Sequence, residues 1–526
     1  MNNKNQLIIE FLKKWFKNNV DSKYLPYVNN LFITSILPFV EKKEKGSLSK
    51  FKYIFNWRAN PRYIMGEGES IHRFFGYDRN YCINAVEIKS NRNKKAKFKN
   101  HKLRLGLLPL IQELFIEISA FIFVNAYFLL ILCVLIKNLS NKKRYSHITN
   151  KKLKISIARS PSNEKYLNNL KKNFTKKDTN LVILKFFGWT SMIQLLSELV
   201  KNKEDNILIF TEFNLLDLLN CYKDYLDFLF KKPKITKLNF LDFKLDLSKS
   251  LRHIRIISFN TILYEKLIQK IIVSKNYKLD QFITLELKNP YGYIDRDLCQ
   301  KHKIKIITIQ TCDIETGNII FPPWESNFFC ESKKLYNDLK KLNYKSIQYS
   351  GSLRLCQNNN LTYDYEPQKF VFCTSPRSVF LNISFIIKLL KISRENGYQL
   401  KILPHPRDFY FLYKFLFYKE TIANNKKLNL LSNDYLFITF PSAIILELIF
   451  RKRIFMVANF SNDKELTIHD FYSSDYIGFE EKYGSIFAQI NSLSTKKFKS
   501  LIISYSKYIN FLEENGIIPN RFLKEI

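Results

Sequence analysis

The segments YQLKILPHPRDF (398–409) and NDYLFITFPSAIILELIFRKRIFMV (433–457) decide how this chain folds. In the second segment an apolar run (434–439), a helical stretch (441–450) and another apolar run (453–457) follow one another directly. Short apolar runs of this length are typical of buried strands. A strand, a helix and a strand in this order predict a compact parallel crossover.

Two polar residues lie where predicted strands of this region end. The apolar run 398–403 reaches Pro404 and is followed by His405, while Ser442 follows the run 434–439 and opens the helix. Ligands of open parallel sheets bind beyond the carboxyl ends of the strands. A histidine and a helix N-terminus at such ends therefore predict a phosphate site.

Alternating apolar runs and helical stretches begin at residue 153. The runs predicted as strands are 153–158, 180–187, 206–211, 253–260, 281–286, 303–310, 327–331, 346–351, 370–375, 399–403, 434–439 and 453–457. Such alternation indicates parallel sheets with helices on both faces. The polar segment 355–368 is interpreted as a linker. We therefore predict an α/β fold with two Rossmann-like domains, 151–355 and 356–526, after an N-terminal helical extension, 1–150.

The N-terminal extension contains the most apolar part of the chain, residues 106–136. Its segment ISAFIFVNAYFLLILCVLI (118–136) would form a helix about 28 Å long, at the margin for crossing a bilayer. Both flanks are basic, whereas a single span should have its positive charge on one side. We therefore predict in-plane or re-entrant association with an anionic membrane surface, at the cytoplasmic face of the inner membrane. A single span and a buried core helix are the alternatives.

Composition limits the classes of function. Lys plus Arg (84) exceed Asp plus Glu (47) in a chain of 526 residues, for a net charge of +37. This charge suits nucleic acid, anionic lipid or an anionic substrate, although the over-use of Lys, Asn, Ile, Phe and Tyr also fits AT-rich codon usage. The sequence has no recognisable RNA-binding motif, and nucleic acid is not predicted as a partner. The eight cysteines form no CxxC pair, which favours a reduced cytosolic chain.

Three consecutive features resemble the donor half of bacterial GT-B glycosyltransferases. They are the Leu-Pro-His-Pro turn (403–406), the strand that follows it, and the Pro441-Ser442 helix start with Glu447 five residues after Ser442. The likeness is to capsule and lipopolysaccharide enzymes of the sialyltransferase and Kdo-transferase type, and it spans residues 150–510. It implies transfer of a sugar from a nucleotide-activated donor, such as a CMP-linked sialic or Kdo-like acid. The acceptor would be a surface polysaccharide or a lipid-linked glycan. It also implies no metal and no cofactor besides the nucleotide-sugar, because helix dipole and basic side chains hold the phosphate.

The donor-side residues take their roles from this resemblance. His405 matches the histidine that contacts the nucleotide phosphate, and a turn histidine bonded to backbone is the alternative. Arg407 offers a guanidinium to the same phosphate. Ser442 binds an anion or serves as a plain N-cap. Glu447 binds ribose hydroxyls or lies on the surface.

A second turn at a strand end, Ser375-Pro376-Arg377, either covers the phosphates or only ends the strand. In the acceptor half, Asp313 in the loop TCDIETG is the predicted base for the acceptor hydroxyl, with Glu286 as its competitor. Arg159, at the end of the first predicted strand, is expected to contact an anionic acceptor.

Three other functions stay open. A polyol-phosphate transferase of the same fold also uses a His-Pro turn and a serine at a helix start. Two departures from the family pattern favour a non-catalytic, membrane-associated polysaccharide-assembly protein. Gln310-Thr311-Cys312 stands where similar enzymes often have Gln-His-Gly, and Ala443 follows Ser442 where they often have a second hydroxyl residue. A nucleic-acid-binding protein is the weakest alternative.

Overall fold

The computed structural model describes residues 84–87, 107–138, 153–174, 180–201, 207–231, 237–240, 243–246, 248–273, 279–285, 290–310, 327–330, 336–337, 340, 346–350, 369–374, 379–405, 410–421, 435–439, 444, 448, 455–459 and 480–482. The strands in chain order are β1 (Asn84–Glu87), β2 (Leu153–Ala158), β3 (Asn180–Lys185), β4 (Lys237–Phe240), β5 (Phe243–Asp246), β6 (Leu279–Thr284), β7 (Lys305–Ile309), β8 (Asn327–Cys330), β9 (Ile347–Tyr349), β10 (Lys369–Cys373), β11 (Gln399–Leu403), β12 (Leu436–Thr439), β13 (Phe455–Asn459) and β14 (Glu480–Lys482).

Helices fill most of the described sequence between the strands. They are α1 (Leu107–Asn138), α2 (Pro161–Phe174), α3 (Met192–Val200), α4 (Leu208–Glu212), α5 (Leu215–Phe230), α6 (Ser248–Ile257), α7 (Phe259–Val273), α8 (Pro290–Lys301), α9 (Val379–Glu395) and α10 (Tyr410–Leu416), with a 3₁₀ turn at Trp189–Ser191.

Two parallel sheets dominate the structure and confirm the predicted α/β class. Among the described residues, the sheet of the first lobe has six strands in the order β3-β2-β6-β7-β8-β9, and that of the second lobe has five in the order β11-β10-β12-β13-β14. Every neighbouring pair in both sheets is parallel. All six residues of β2 and all four of β12 are buried, as expected of strands covered on both faces. A small antiparallel sheet, β1-β5-β4, accompanies them.

Two predicted strands are helices in the structure. The run 206–211 forms only a single bridge, between Ile207 and Lys185, and then enters α4. The run 253–260 lies across α6 and α7. Both runs are short and contain several β-branched residues, and runs of this kind cannot be assigned to a strand or a helix from periodicity alone. The prediction of strands there was therefore wrong.

Helix α1 packs on the first lobe through one of its faces. Val124, Tyr127 and Ile131 are fully buried in the same hydrophobic core as Ile155 of β2. The Tyr127 hydroxyl donates a hydrogen bond to the carbonyl oxygen of Phe187. The boundary at residue 150 stays a prediction, but the core of the first lobe includes side chains from before it.

A glycine after β3 allows α7 to approach the 3₁₀ turn. A Cβ atom on Gly188 would lie 2.3 Å from Nδ2 of Asn260, so any larger residue would collide with this buried amide. The Oδ1 atom of Asn260 accepts a hydrogen bond from the Trp189 backbone N–H at 3.2 Å. The Trp189 ring stacks on Phe123 of α1, with centroids 6.4 Å apart. The turn thus joins α7, α1 and the end of β3.

Candidate functional site at the carboxyl ends of the parallel strands

Two of the residues predicted from the sequence, Arg159 and His405, belong to the described part of the chain. The other predicted site residues lie outside it, and their roles stay predictions: Asp313, Ser375, Arg377, Arg407, Ser442 and Glu447. Glu286, the competitor of Asp313, lies outside it as well.

Three adjacent strands of the second lobe end side by side. Cys373 at the end of β10 pairs with Leu403 of β11 on one side and with Thr439 of β12 on the other. Neighbouring strands in a sheet are about 4.8 Å apart. We call this end of the sheet, from Leu403 to Thr439, the second carboxyl edge. The sequence positions predicted to hold the donor directly follow these three strand ends.

The turn at His405 is tied to the neighbouring strand by one hydroxyl. Pro404 has no N–H to continue the sheet, so the next backbone donor belongs to His405. That N–H donates to Oγ1 of Thr374 at 2.9 Å, and the Thr374 N–H donates to the Leu403 carbonyl oxygen at 3.1 Å. Thr374 is buried, whereas His405 is partly exposed. The histidine is therefore held at the second carboxyl edge and is accessible to solvent there.

The carboxyl edge of the first lobe places Arg159 in a different environment. Its Nη2 atom lies 4.0 Å from Oδ2 of Asp295 in α8, and the two side chains are 8% and 1% exposed. The guanidinium lies over two tyrosine rings, 4.6 Å from the centroid of Tyr291 and 5.3 Å from that of Tyr264. Cation–π contacts of this kind stabilise a desolvated guanidinium. Asp295 and the two tyrosines form, with Thr284, what we call the arginine cage.

Asp295 is the polar centre of the arginine cage. It accepts hydrogen bonds from the Tyr264 hydroxyl at 2.7 Å and from the Thr284 hydroxyl at 2.7 Å. Burial raises the pKa of Asp295, against the opposing effects of Arg159 and the two hydroxyl donors. Burial and the neighbouring Asp295 raise the pKa of Tyr264 well above its ordinary value, so its hydroxyl remains a donor. The carboxyl group of Asp295 thus orients side chains inside the lobe.

Sequence reasoning found the arginine but missed its partners. Tyr291 and Asp295 are four residues apart and share one face of α8, a spacing that is visible in YGYIDRD (291–297). Tyr264 lies four residues beyond the run 253–260 and was given no role, and Thr374 carried no motif. Only the fold brings these side chains to the strand ends. Among the described residues, no group of three or more His, Cys, Asp or Glu side chains could hold a metal ion.

No protein-family model and no curated protein sequence matches this chain. Solved structures with a similar arrangement include UDP-GlcNAc 2-epimerases and glycosyltransferases. The UDP-GlcNAc 2-epimerase from Methanocaldococcus jannaschii is 12% identical over 68% of this chain and 92% of its own, with a TM-score of 0.36. The same enzyme from Neisseria meningitidis, solved with UDP-GlcNAc, is 12% identical over 70% and 96%, with a TM-score of 0.39.

A glycosyltransferase from Rickettsia africae is 13% identical over 69% of this chain and 94% of its own, with a TM-score of 0.35. TM-scores below 0.5 do not establish a shared fold, so the class of this protein is defined by its own strands. It is an α/β protein with two parallel-sheet lobes, of six and five described strands, and a histidine turn at the second carboxyl edge.

Proposed function

We propose that this protein is a glycosyltransferase that takes its sugar from a nucleotide-activated donor. The observation that carries the proposal is the alignment of β11, β10 and β12 at the second carboxyl edge, with His405 held there through Thr374. Each of these strand ends leads directly into a sequence that suits a phosphate: His405-Pro406-Arg407, Ser375-Pro376-Arg377 and Pro441-Ser442. Ligands of parallel sheets bind at this end.

The chemistry of transfer explains why such residues belong together. When the sugar leaves, negative charge grows on the departing nucleotide phosphate, and donors placed beside it lower the barrier. In the proposal, an imidazole N–H of His405 and the guanidinium groups of Arg377 and Arg407 contact that phosphate. Ser442 and the helix start after it supply hydroxyl and backbone donors.

The remaining roles complete the proposal. Glu447 binds the ribose hydroxyls, and Asp313 takes the proton of the acceptor hydroxyl. We assign Arg159 to the acceptor side, where its cage at the end of β2 supports the surface that receives the glycan. The acceptor is a surface polysaccharide or a lipid-linked glycan, and the donor is a CMP-linked acid sugar. The reaction uses the nucleotide-sugar as substrate, without a metal or another cofactor.

Titration calorimetry of the full-length protein with CMP-, UDP- and GDP-linked sugars tests the proposal. We expect one nucleotide class to bind, and product analysis with a glycan acceptor to show a new glycosidic bond and free nucleotide. If a CDP-linked polyol is added to the panel, transfer of its polyol phosphate to the acceptor, with release of CMP, would instead identify the phosphate transferase of the same fold. Conversion of the donor to an epimer without an acceptor would show an epimerase. Absence of binding to every nucleotide donor and nucleotide would contradict the proposal and favour a non-catalytic assembly protein.

A further inference from the structure

Helix α1 presents two apolar faces, and in the part of the chain that the structure describes the first lobe covers one of them while the large side chains of the other are exposed. The covered face carries Val124, Tyr127 and Ile131, each fully buried in the core. On the same side of the helix, Glu117 accepts a charged hydrogen bond from Arg252 of α6, with Nη2 and Oε1 2.9 Å apart. A helix attached through its core side chains cannot leave the lobe without exposing them to solvent or lipid.

The opposite face is apolar and exposed. Its large side chains are between 42% and 59% exposed. They are Ile118, Phe121, Ile122, Leu129 and Ile136, with Phe123 at the flank and the exposed thiol of Cys133 between them. At 100° per residue, positions 118, 122, 129, 133 and 136 fall within one narrow stripe, opposite the buried face. We call this the outer stripe. Large exposed apolar patches mark interaction surfaces.

One polar side chain, Asn125, interrupts the outer stripe, and both ends of its amide are bonded inside the protein. Its Nδ2 donates to the Phe121 carbonyl oxygen at 2.7 Å, and its Oδ1 accepts from the Tyr222 hydroxyl at 2.5 Å. An amide on a surface that faces water needs no such partners. An amide on a surface that faces lipid does, because an unpaired polar group costs several kcal/mol there, on the order of 2–7. The bonding of Asn125 suits a lipid environment.

Basic residues before and after the apolar part of α1 indicate a lipid with an anionic headgroup. The sequence NRNKKAKFKNHKLR (91–104) precedes α1, and Lys137, Lys142, Lys143 and Arg144 follow its apolar part. From Ile118 to Ile136 the stripe is about 27 Å long. Lys and Arg side chains near an interfacial helix bind anionic headgroups, and basic flanks at both ends fit a helix that has both ends at one membrane surface.

We propose that α1 lies in the plane of an anionic leaflet, with the outer stripe inserted among the acyl chains and the first lobe attached beneath it. By length and composition alone, Glu117–Lys137 could also cross a bilayer. Crossing would require Val124, Tyr127 and Ile131 to leave the core, and the in-plane position does not. The inference does not rest on glycosyl transfer, because a non-catalytic assembly protein would use the same surface.

Flotation of the full-length protein with vesicles tests this surface. We expect binding to phosphatidylcholine vesicles that contain phosphatidylglycerol, and at least ten-fold weaker binding to phosphatidylcholine alone. The double variant Ile122→Glu/Leu129→Glu should bind the anionic vesicles at least ten-fold more weakly than the wild type. The matched control is Phe411→Glu/Phe415→Glu on α10, which adds the same charge at side chains 79% and 82% exposed and should bind like the wild type.

Three results would overturn the proposal. Vesicle binding of the α1 variant at the wild-type level would show that the outer stripe does not mediate binding. Equal losses in both variants would show that it has no specific role. A wild-type dimer that the α1 variant converts to a monomer, without vesicle binding by either, would show a contact between two copies. Circular dichroism of both variants should match the wild type, so that unfolding is excluded as the cause of a loss.

Two further measurements separate an in-plane helix from a span. Alkaline carbonate should release the bound protein from the vesicles, whereas a spanning helix would stay in the membrane, and that result would contradict the proposal. Labelling of Cys133 by a maleimide, quantified on its own peptide by mass spectrometry, should slow at least five-fold when anionic vesicles are added. Unchanged labelling would show that the stripe remains in water.

Discussion

The carboxyl edges of the two lobes hold their basic residues in opposite ways. In the first lobe, Arg159 lies against a buried carboxylate and two tyrosine rings. In the second lobe, His405 is held through its backbone N–H to Thr374, and the residue is partly exposed. The same position at the end of a parallel strand thus serves the packing of one lobe and the solvent-facing surface of the other.

The difference shows why a basic residue at a strand end does not by itself define a ligand site. The charge of Arg159 is compensated by Asp295, which comes from a helix 136 positions further along the chain. A ligand phosphate would have to compete with that carboxylate and with the tyrosines around it. The turn at His405 is held through a neutral hydroxyl, that of Thr374, and its residue is partly exposed. We therefore expect substitutions in the two places to affect different properties.

The largest expected effect is on stability, from Asp295→Ala. The hydroxyls of Tyr264 and Thr284 would lose their acceptor, and each unsatisfied buried donor costs about 1–3 kcal/mol. We expect the free energy of unfolding, measured with urea, to fall by about 3 kcal/mol. The matched control is Asp297→Ala, an exposed aspartate on the same helix, with a change of about 0.5 kcal/mol or less. A small effect of Asp295→Ala would contradict the cage.

The variant Asp295→Asn sharpens this test through pH. Because burial raises the pKa of Asp295, the folded protein holds this proton more tightly than the unfolded chain. The stability contributed by the carboxyl is complete below its unfolded pKa of about 3.9 and is lost as pH rises through the folded pKa. Asparagine cannot titrate, so the stability advantage of the wild type over Asp295→Asn should shrink as pH rises from about 4. A growing advantage would show that Arg159 dominates the pKa.

The next largest effect is expected on catalysis, from His405→Ala. Removal of one hydrogen-bond donor that stabilises negative charge in the transition state typically lowers the rate about 100-fold to 1,000-fold. We expect a fall of about 100-fold in kcat for sugar transfer, with an unchanged urea midpoint. The control is Lys391→Ala, which removes a cation from α9 of the same lobe, at a side chain that is 78% exposed. This variant should transfer sugar at the wild-type rate. Wild-type transfer by His405→Ala would refute the phosphate role.

The smallest expected effect comes from Thr374→Val, which keeps the shape of the side chain and removes the hydroxyl acceptor. The His405 N–H would lose its partner, at a cost of about 1 kcal/mol in the free energy of unfolding. We also expect a several-fold rise in KM for the donor, because the turn is less well held. Thr374→Ser keeps the hydroxyl and should restore both values. If serine and valine behave alike, the hydrogen bond does not position the turn.

Short-range patterns identified much of the fold from the sequence. The predicted strand 399–403 agrees with β11, and the position of His405 just beyond a buried strand is confirmed. The same reasoning failed at 206–211 and 253–260, where buried apolar residues are helical. Hydrophobic periodicity and turn residues are properties of neighbouring positions, so they cannot separate a strand from a helix in a short apolar run.

The sequence by itself determined the parallel α/β class, the strand ends that carry His405 and Arg159, and the apolar, basic-flanked character of α1. Only the tertiary structure decided that Arg159 is enclosed by Asp295 and its hydroxyl donors, and that one face of α1 belongs to the core of the first lobe. These outcomes depend on contacts between residues far apart in the chain. Such contacts form because burying a charge or a polar group without a partner is costly, and no local pattern records which partner the fold supplies.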